Sequence, residues 1–194
     1  MGLHPRFRLP PVGAFRELRS DELRLFREHL LRLDTVSRRD RFNGATDDHF
    51  VQAYSERCFQ RGVTVIAYVE NGHVRGAAEI HECMPGYRDT AEIAFSVEDG
   101  WQRLGIGSLL FERLIDQARG LGYAHLLVTT HPHNEAMKAL ARKFGARLSF
   151  HDTEAVGLIE LGRATDTPPG LPLAAGTRPQ SDAKPILAVV ATAP

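Results

Sequence analysis

Two cysteines in 194 residues cannot frame a disulfide-stapled fold. Cys58 and Cys83 are read as reduced thiols, and no sequence neighbour of either suggests an activated nucleophile. Long apolar runs are absent too. None reaches the roughly 18 residues that a membrane helix needs. The first residues carry Arg6, Arg8 and prolines but no apolar core, so no secretory signal is expected, and a cytoplasmic protein is. Net charge is missing as well: 24 Lys and Arg balance 24 Asp and Glu. That balance implies no general attraction to nucleic acid or to a membrane surface. There is no internal repeat.

What is present suits one ordinary domain. The chain is 43% hydrophobic and 25% charged, within the usual range for a globular protein with a real core. Residues 42–100 hold four basic and ten acidic side chains, and residues 101–194 hold ten basic and eight acidic. An acidic middle suits a cationic amine, and the later basic residues suit an anionic cofactor. Solvated surface explains most of these charges equally well.

Hydrophobic periodicity divides the chain into elements. Ala14 to Leu18 reads as a short strand. Ser20 is a candidate N-cap for a helix carrying Leu23, Phe26, Leu30 and Leu33 on one face. Asp47 is a candidate cap for a second helix, lined by Phe50, Tyr54 and Cys58. The segment before it, Ser37 to Phe42, carries Arg38, Arg39 and Arg41. It is read either as a basic surface turn or as the mouth of a site. Val63 to Val69 and His73 to His81 read as strands joined by Asn71-Gly72, a strong hairpin signal. Thr90 to Val97 alternates, with Ile93, Phe95 and Val97 on one face and Glu92, Ala94 and Ser96 on the other. A helix follows from Ile106 and stops near Gly120 and Gly122. Then come a strand from His125 to Thr130, a helix from Asn134 to Gly145, and strands Arg147 to Phe150 and Ala155 to Leu161.

Residues 1–13 are expected to be a loose segment and 14–162 the folded domain. Six of the eleven prolines fall in residues 163–194, expected to form a disordered tail.

The most informative stretch is Val97-Glu98-Asp99-Gly100-Trp101-Gln102-Arg103-Leu104-Gly105-Ile106-Gly107. A strand enters it and a helix leaves it. Small residues let the backbone approach an anion, and the first helical N–H groups point at it. A P-loop would need Lys after its glycine, and none follows Gly107. A dinucleotide turn needs a third glycine, yet Ser108, Leu109 and Leu110 follow, and the next strand brings no acid for a ribose. The remaining pattern is Gln/Arg-x-x-Gly-x-Gly/Ala, which Gln102, Gly105 and Gly107 fit. A tight strand–helix turn without a ligand would leave Trp101-Gln102-Arg103 unexplained.

This block, with Ala91 to Val97 before it and Asn134 to Ala146 after it, resembles the GNAT superfamily of acyl-CoA-dependent N-acyltransferases. The resemblance implies an α/β fold of the mixed α+β type. A central twisted sheet of six to seven strands, mixed and largely antiparallel, carries helices on both faces. It implies acetyl-CoA as co-substrate, a primary amine as acceptor, and direct attack in a ternary complex. The pyrophosphate would meet Gln102, Arg103, Leu104, Gly105, Ile106, Gly107 and Ser108. Backbone N–H groups near Phe95, Ser96 and Val97 would hold the oxyanion and the pantetheine arm, and Asn134 would meet the pantetheine or phosphate region. Lys138, Arg142 and Lys143 are candidates for the adenosine phosphate.

Freeing a lysine-like amine at pH 7 costs about 4.6 kcal/mol, so a base is expected. Glu92 is the candidate, acting directly or through water, with Glu79 on the preceding strand as the second; the bland alternative for each is a solvated strand carboxylate. Many members place a Tyr after the Leu of the later helix as acid for the leaving thiolate. Here Ala141 follows Leu140. Ser37 to Phe42, Ala91 to Phe95 and the Met-containing helix are similar to bacterial protein-lysine acetyltransferase domains. A protein lysine is therefore the expected acceptor, with a small amine or a non-catalytic acyl-CoA sensor as alternatives. No metal is expected; His131-Pro132-His133, and His81 with Cys83, are weak ligand patterns without a third partner.

Overall fold

The computed structural model describes residues 12–83 and 89–162. The expected loose N-terminus, the tail from 163 and most of the loop before Asp89 lie outside the described residues. In chain order the elements are β1 (Ala14–Glu17), α1 (Leu23–Arg32), α2 (Thr35–Phe42), α3 (Asp48–Arg57), β2 (Val63–Glu70), β3 (His73–Glu82), β4 (Thr90–Val97), α4 (Ile106–Gly120), β5 (His125–Thr130), α5 (Glu135–Lys143), β6 (Arg147–Phe150) and β7 (Ala155–Glu160). They form one seven-stranded sheet in the order β1-β2-β3-β4-β5-β7-β6. The expected mixed, largely antiparallel sheet is therefore present, and β4 with β5 is its parallel pair.

Local chemistry accounts for most boundaries. Asn71 and Gly72 both take positive φ, +50° and +76°, as a two-residue hairpin of matching twist requires. Asp47 caps α3 by accepting from Phe50 N at 2.7 Å, and Asn134 caps α5 by accepting from Met137 N at 2.9 Å. Two expectations need correction. Ser20 does not cap α1: Ser20–Glu22 is a 3-10 turn, and Glu22 is drawn back to Arg16 at 2.6 and 2.7 Å. Residues 37–42 are not a surface turn but most of α2. Asp34 caps it, accepting from Val36 N and Ser37 N at 2.9 Å each, and its last turn buries Arg41 and Phe42.

The alternation of β4 sorts the two faces. Ile93 and Phe95 join Ile80, Leu126, Leu110 and Leu114 in the core beneath α4 and α5. Rings of Phe95, Phe111 and Phe144 stack nearly parallel there, with centroids 4.7 and 4.4 Å apart. That column ties β4 to α4 and α4 to the end of α5, each ring pair adding about 0.5–1.5 kcal/mol beyond its buried area. On the other face, Val65, Ala67 and Ala77 pack against Phe26, Leu30, Val51 and Tyr54 of α1 and α3.

One topological feature positions everything that follows. Strands β4 and β5 pair only from Thr90↔His125 to Ile93↔Val128. Beyond that point β4 stays with β3, out to Gly76↔Val97, while β5 stays with β7, out to Thr130↔Ala155. Each strand follows its outer partner around the sheet twist. A wedge opens between them, and each parted strand edge turns backbone groups into it that the other strand no longer pairs.

Candidate active site

The phase of the β3–β4 ladder decides which backbone groups enter the wedge. Glu98 N donates to Arg75 O at 3.0 Å across the Gly76↔Val97 pair. That makes Val97 a non-hydrogen-bonded position on the β3 side, and the roles alternate along the strand. Phe95 and Val97 therefore turn N–H and C=O toward the wedge, while the backbone of Ser96 faces β3. The expected trio narrows to two donors, Phe95 and Val97. Val97 O accepts from Gln102 Nε2 at 3.0 Å, which folds the glycine-rich turn back against the end of β4.

In that turn Arg103 and Gly105 both take positive φ, +58° and +85°. Gly105 suits this conformation because it has no Cβ to clash. α4 then begins at Ile106, and its first backbone bond to the turn is Leu109 N to Gly105 O at 3.0 Å. The N–H groups of Ile106, Gly107 and Ser108 have no intrahelical carbonyl to meet. A Cβ on Gly107 would meet only Leu140 Cδ2, at an ordinary 3.6 Å. Packing alone does not demand glycine there, whereas an anion seated on these amides would.

A cleft of about 530 Å³ runs from this helix terminus into the wedge. Phe95, Ser96 and Val97 form its strand wall, and Gln102, Arg103, Gly105, Gly107 and Ser108 form its floor. Leu104 and Ile106 turn their side chains into the core and can contribute only backbone. Asn134, Met137 and Leu140 line the opposite wall. Asn134 has its side chain engaged already, by its helix cap and by Thr130 Oγ1 at 3.0 Å. Of the three later cations, Lys143 reaches the cleft and bonds Ser108 Oγ at 2.9 Å. Lys138 does not; it is buried against Glu135 and the Pro132 carbonyl. One end of the cleft is thus an α-helix N-terminus with a lysine beside it, an anion site on two counts.

Of the three arginines offered in the sequence as the mouth of a site, Arg41 reaches the cleft; the helix that carries it was not expected. Val36, Ser37, Asp40 and Arg41 of α2 close the cleft opposite the turn, and Gln102 Nε2 reaches Ser37 Oγ at 3.3 Å. Asp34 followed by Ser37 was the available signal, a cap before a helical turn.

The two carboxylates singled out in the sequence share the α1–α3 face of the sheet, yet differ in surroundings. Glu92 is buried, opposite His81 on β3 and Leu127 on β5, at the last but one pair before the strands part. Its side chain lies beside the wedge and does not line the cleft. Glu79 is fully buried and held from four sides. Arg41 Nη2 donates to it at 2.7 Å and Tyr54 Oη at 2.5 Å, with His81 Nε2 at 3.1 Å and Cys58 Sγ at 3.4 Å. Burial alone would raise its pKa. The Arg41 charge, with His81 and Tyr54, outweighs burial and holds the carboxyl well below the usual range. Glu79 is a structural anion joining α2 and α3 to the sheet, and so a poor proton acceptor. Burial pushes the Cys58 thiol strongly up, which argues against a nucleophile.

Cys58, Glu79 and His81 have ligand atoms within 4.8 Å of one another. The sequence reading paired His81 with Cys83 instead. Donor types that suit zinc are present, but the Arg41 guanidinium already neutralises the carboxylate. His131 and His133 lie close, with ring centroids 5.4 Å apart, and join no such group among the described residues.

A seven-stranded sheet parted between two parallel strands, with a glycine-rich turn and helix N-terminus at the gap, is the frame of an acyl-CoA-binding transferase. The model of the acetyltransferase (GNAT) family matches residues 26–146, more than half of the chain. The chain belongs to that family, the acyl-CoA-dependent N-acetyltransferases.

Solved structures agree on the fold. The GNAT domain of S. lividans PAT superposes with a TM-score of 0.69 at 19% identity, covering 76% of this chain and 90% of that one. A Sinorhizobium meliloti phosphinothricin acetyltransferase in complex with acetyl-CoA gives 0.60 at 19%, covering 81% and 93%. An N-acetyltransferase from Staphylococcus aureus Mu50 gives 0.59 at 21%, covering 77% and 99%. No helix among the described residues is long and apolar enough to cross a membrane.

Proposed function

We propose that the acetyl group passes from acetyl-CoA to the side-chain amine of a protein lysine, by direct attack in a ternary complex, with Glu92 as the base. The observation that carries this reading is the wedge. It joins an anion site at the start of α4 to the N–H groups of Phe95 and Val97, so one extended cofactor can satisfy both ends.

On this reading the pyrophosphate rests on the amides from Gly105 to Ser108, with Lys143 and Arg103 beside it. The pantetheine arm pairs with the free edge of β4 as an added strand. The thioester oxygen takes the Phe95 or Val97 N–H, which strengthens as negative charge develops on it. The gap opens onto the α1–α3 face, where Glu92 lies. Phe95 lies three positions along the strand from Glu92, about 10 Å, so the proton reaches the carboxylate through water. The likeness of Ser37 to Phe42 and Ala91 to Phe95 to bacterial protein-lysine acetyltransferase domains supports the lysine.

Thiol release from acetyl-CoA across a panel of proteins and small amines tests both parts. Wild type should turn over fastest with a lysine-bearing protein. Glu92→Gln should lower kcat/KM by roughly 10²–10⁴ at pH 7, and recover as pH approaches the amine's own pKa of about 10.4. Full activity in Glu92→Gln would remove the base assignment. Preference for a small amine would move the acceptor to that class. Cofactor binding with no turnover on any acceptor would make the domain a sensor.

A further inference from the structure

Acetylating an ammonium group requires two proton transfers. The first frees the nitrogen for attack and is assigned above to Glu92. The second leaves the nitrogen after attack, while the departing sulfur gains a proton or leaves as thiolate. No tyrosine, histidine or cysteine lines the cleft among the described residues; three serines do. Ser37 Oγ donates to Asp34 Oδ2 at 2.6 Å, where it fixes the start of α2. Ser108 lies at the anion end beside Lys143. Ser96 is different, because it stands between the two residues whose N–H groups enter the wedge.

Behind Ser96 lies a buried relay. Its Oγ is 2.9 Å from His29 Nε2, and His29 Nδ1 is 3.2 Å from Glu98 Oε1. His29 is fully buried on α1, a helix face otherwise occupied by Phe26 and Leu30. Glu98 also accepts from Arg32 Nε at 2.9 Å and Arg75 Nη1 at 2.8 Å. A carboxylate bound by two guanidinium groups only accepts, so Nδ1 carries the imidazole proton and Nε2 accepts from the serine hydroxyl. Burial lowers the His29 pKa, against the pull of Glu98 and with the push of Arg32, and keeps the ring neutral. Glu98 already ties the end of β4 to Arg32 of α1 and to Arg75 of β3. The histidine and serine extend that network to the cleft wall, where Ser96 has a proton acceptor behind it.

We infer that Ser96, backed by His29 and Glu98, carries the second proton from the acceptor nitrogen to the leaving sulfur, an inference that rests on the acetyl-transfer reading above. As the tetrahedral intermediate forms, its N–H proton passes to Ser96 Oγ while the serine's own proton passes to His29 Nε2. The C–S bond breaks and its electron pair goes to sulfur. The proton returns from Nε2 through Oγ to that sulfur. One N–C bond forms, one C–S bond breaks, one proton moves from nitrogen to sulfur, and Ser96 and His29 end as they began. Ser96 is the catalytic residue here; His29 and Glu98 position it and hold the proton.

The test compares wild type with Ser96→Ala, Ser96→Thr and His29→Gln, using acetyl-CoA and the best acceptor from the panel above. Ser96→Ala should lower kcat about 30- to 100-fold, with the KM for acetyl-CoA within about twofold and Tm lower by only a few degrees, because the buried His29 Nε2 loses its donor. Ser96→Thr, which keeps the hydroxyl, should restore most of the rate. His29→Gln should match Ser96→Ala, and the double variant should lose little more, because the pair acts as one unit. A wild-type kcat in Ser96→Ala overturns the inference, as does a His29→Gln protein that loses Tm alone. If His29→Gln does not fold, Ser96→Ala decides. An acceptor-free readout separates this inference from the activity itself. Adding CoA should shift the ¹⁵N resonance of His29 Nε2 in wild type and not in Ser96→Ala. Absence of that shift refutes the relay even if acetylation occurs, and failure of turnover with the shift intact refutes the activity reading instead.

Discussion

Glu79→Gln should cost stability rather than chemistry. The substitution keeps the shape of the side chain and removes its charge. Arg41 then remains with a side chain only 2% exposed, its guanidinium 4.8 Å from the Phe42 ring centroid and 5.1 Å from that of Tyr54, and without its carboxylate. Breaking a buried pair by removing one partner costs about 3–5 kcal/mol. The glutamine amide can still accept from Arg41 and Tyr54, so the lower end, about 3 kcal/mol, applies. For a domain of this size that is a fall of roughly 6–12 °C in Tm. Calorimetry checks the shift, and the rate at 20 °C, normalised to folded protein, should stay within about threefold of wild type. Replacing both partners, Arg41→Met with Glu79→Leu, should recover more than half of the loss, because an apolar pair of similar volume removes the uncompensated charge. A Tm within 2 °C of wild type together with lost acetylation would refute this account and return Glu79 to the list of bases.

Two further outcomes follow from the cradle and the relay. Gly107→Ala should leave Tm equal or raise it, since alanine is favoured in a helix by about 0.5–1 kcal/mol and meets only an ordinary contact at 3.6 Å. The same methyl group crowds an anion on the α4 amides, so the KM for acetyl-CoA should rise about tenfold, or 1.4 kcal/mol; an unchanged KM would place the pyrophosphate elsewhere. Stability should fall with acid in two stages. His29 is held neutral below its ordinary 6.5, so its contribution is complete above that pH and declines as pH falls beneath it. Burial would raise Glu98, but its bonds to His29, Arg75 and Arg32 prevail and hold it at about 2, so its contribution declines from about pH 4.5 downward. Tm measured from pH 8 to 3 should show both stages, and His29→Gln should remove the first. A Tm that rises between pH 7 and 5 would contradict the assignment.

How much of this could be read from residues alone varied with the range of the interaction. Hairpin chemistry at Asn71-Gly72, caps at Asp47 and Asn134, and the alternation of β4 are local, and the folded chain keeps each of them. The helical form of α2 was not read, because three arginines in six residues suit a surface turn or a site mouth as well as a helix. In the structure Arg41 is buried by a partner on another element, Glu79, thirty-eight positions away. His29 was not singled out beside Leu23, Phe26, Leu30 and Leu33, and only tertiary packing brings it to Ser96 and Glu98, across more than sixty residues. Ser96 was expected to offer its backbone to the cofactor. The ladder phase turns that backbone to β3 and leaves the side chain as the part with chemistry.

By itself the sequence pointed to the family and the mixed sheet, and it singled out the glycine-rich turn as the expected phosphate cradle, because a turn that must approach an anion needs particular residues at particular spacings. Which groups face the cleft was decided only by the tertiary structure. The divergence of β4 from β5, the phase of the ladder, and the separation of a committed carboxylate at Glu79 from one beside the gap at Glu92 depend on strands paired across the sheet. No local spacing in the chain encodes those pairings.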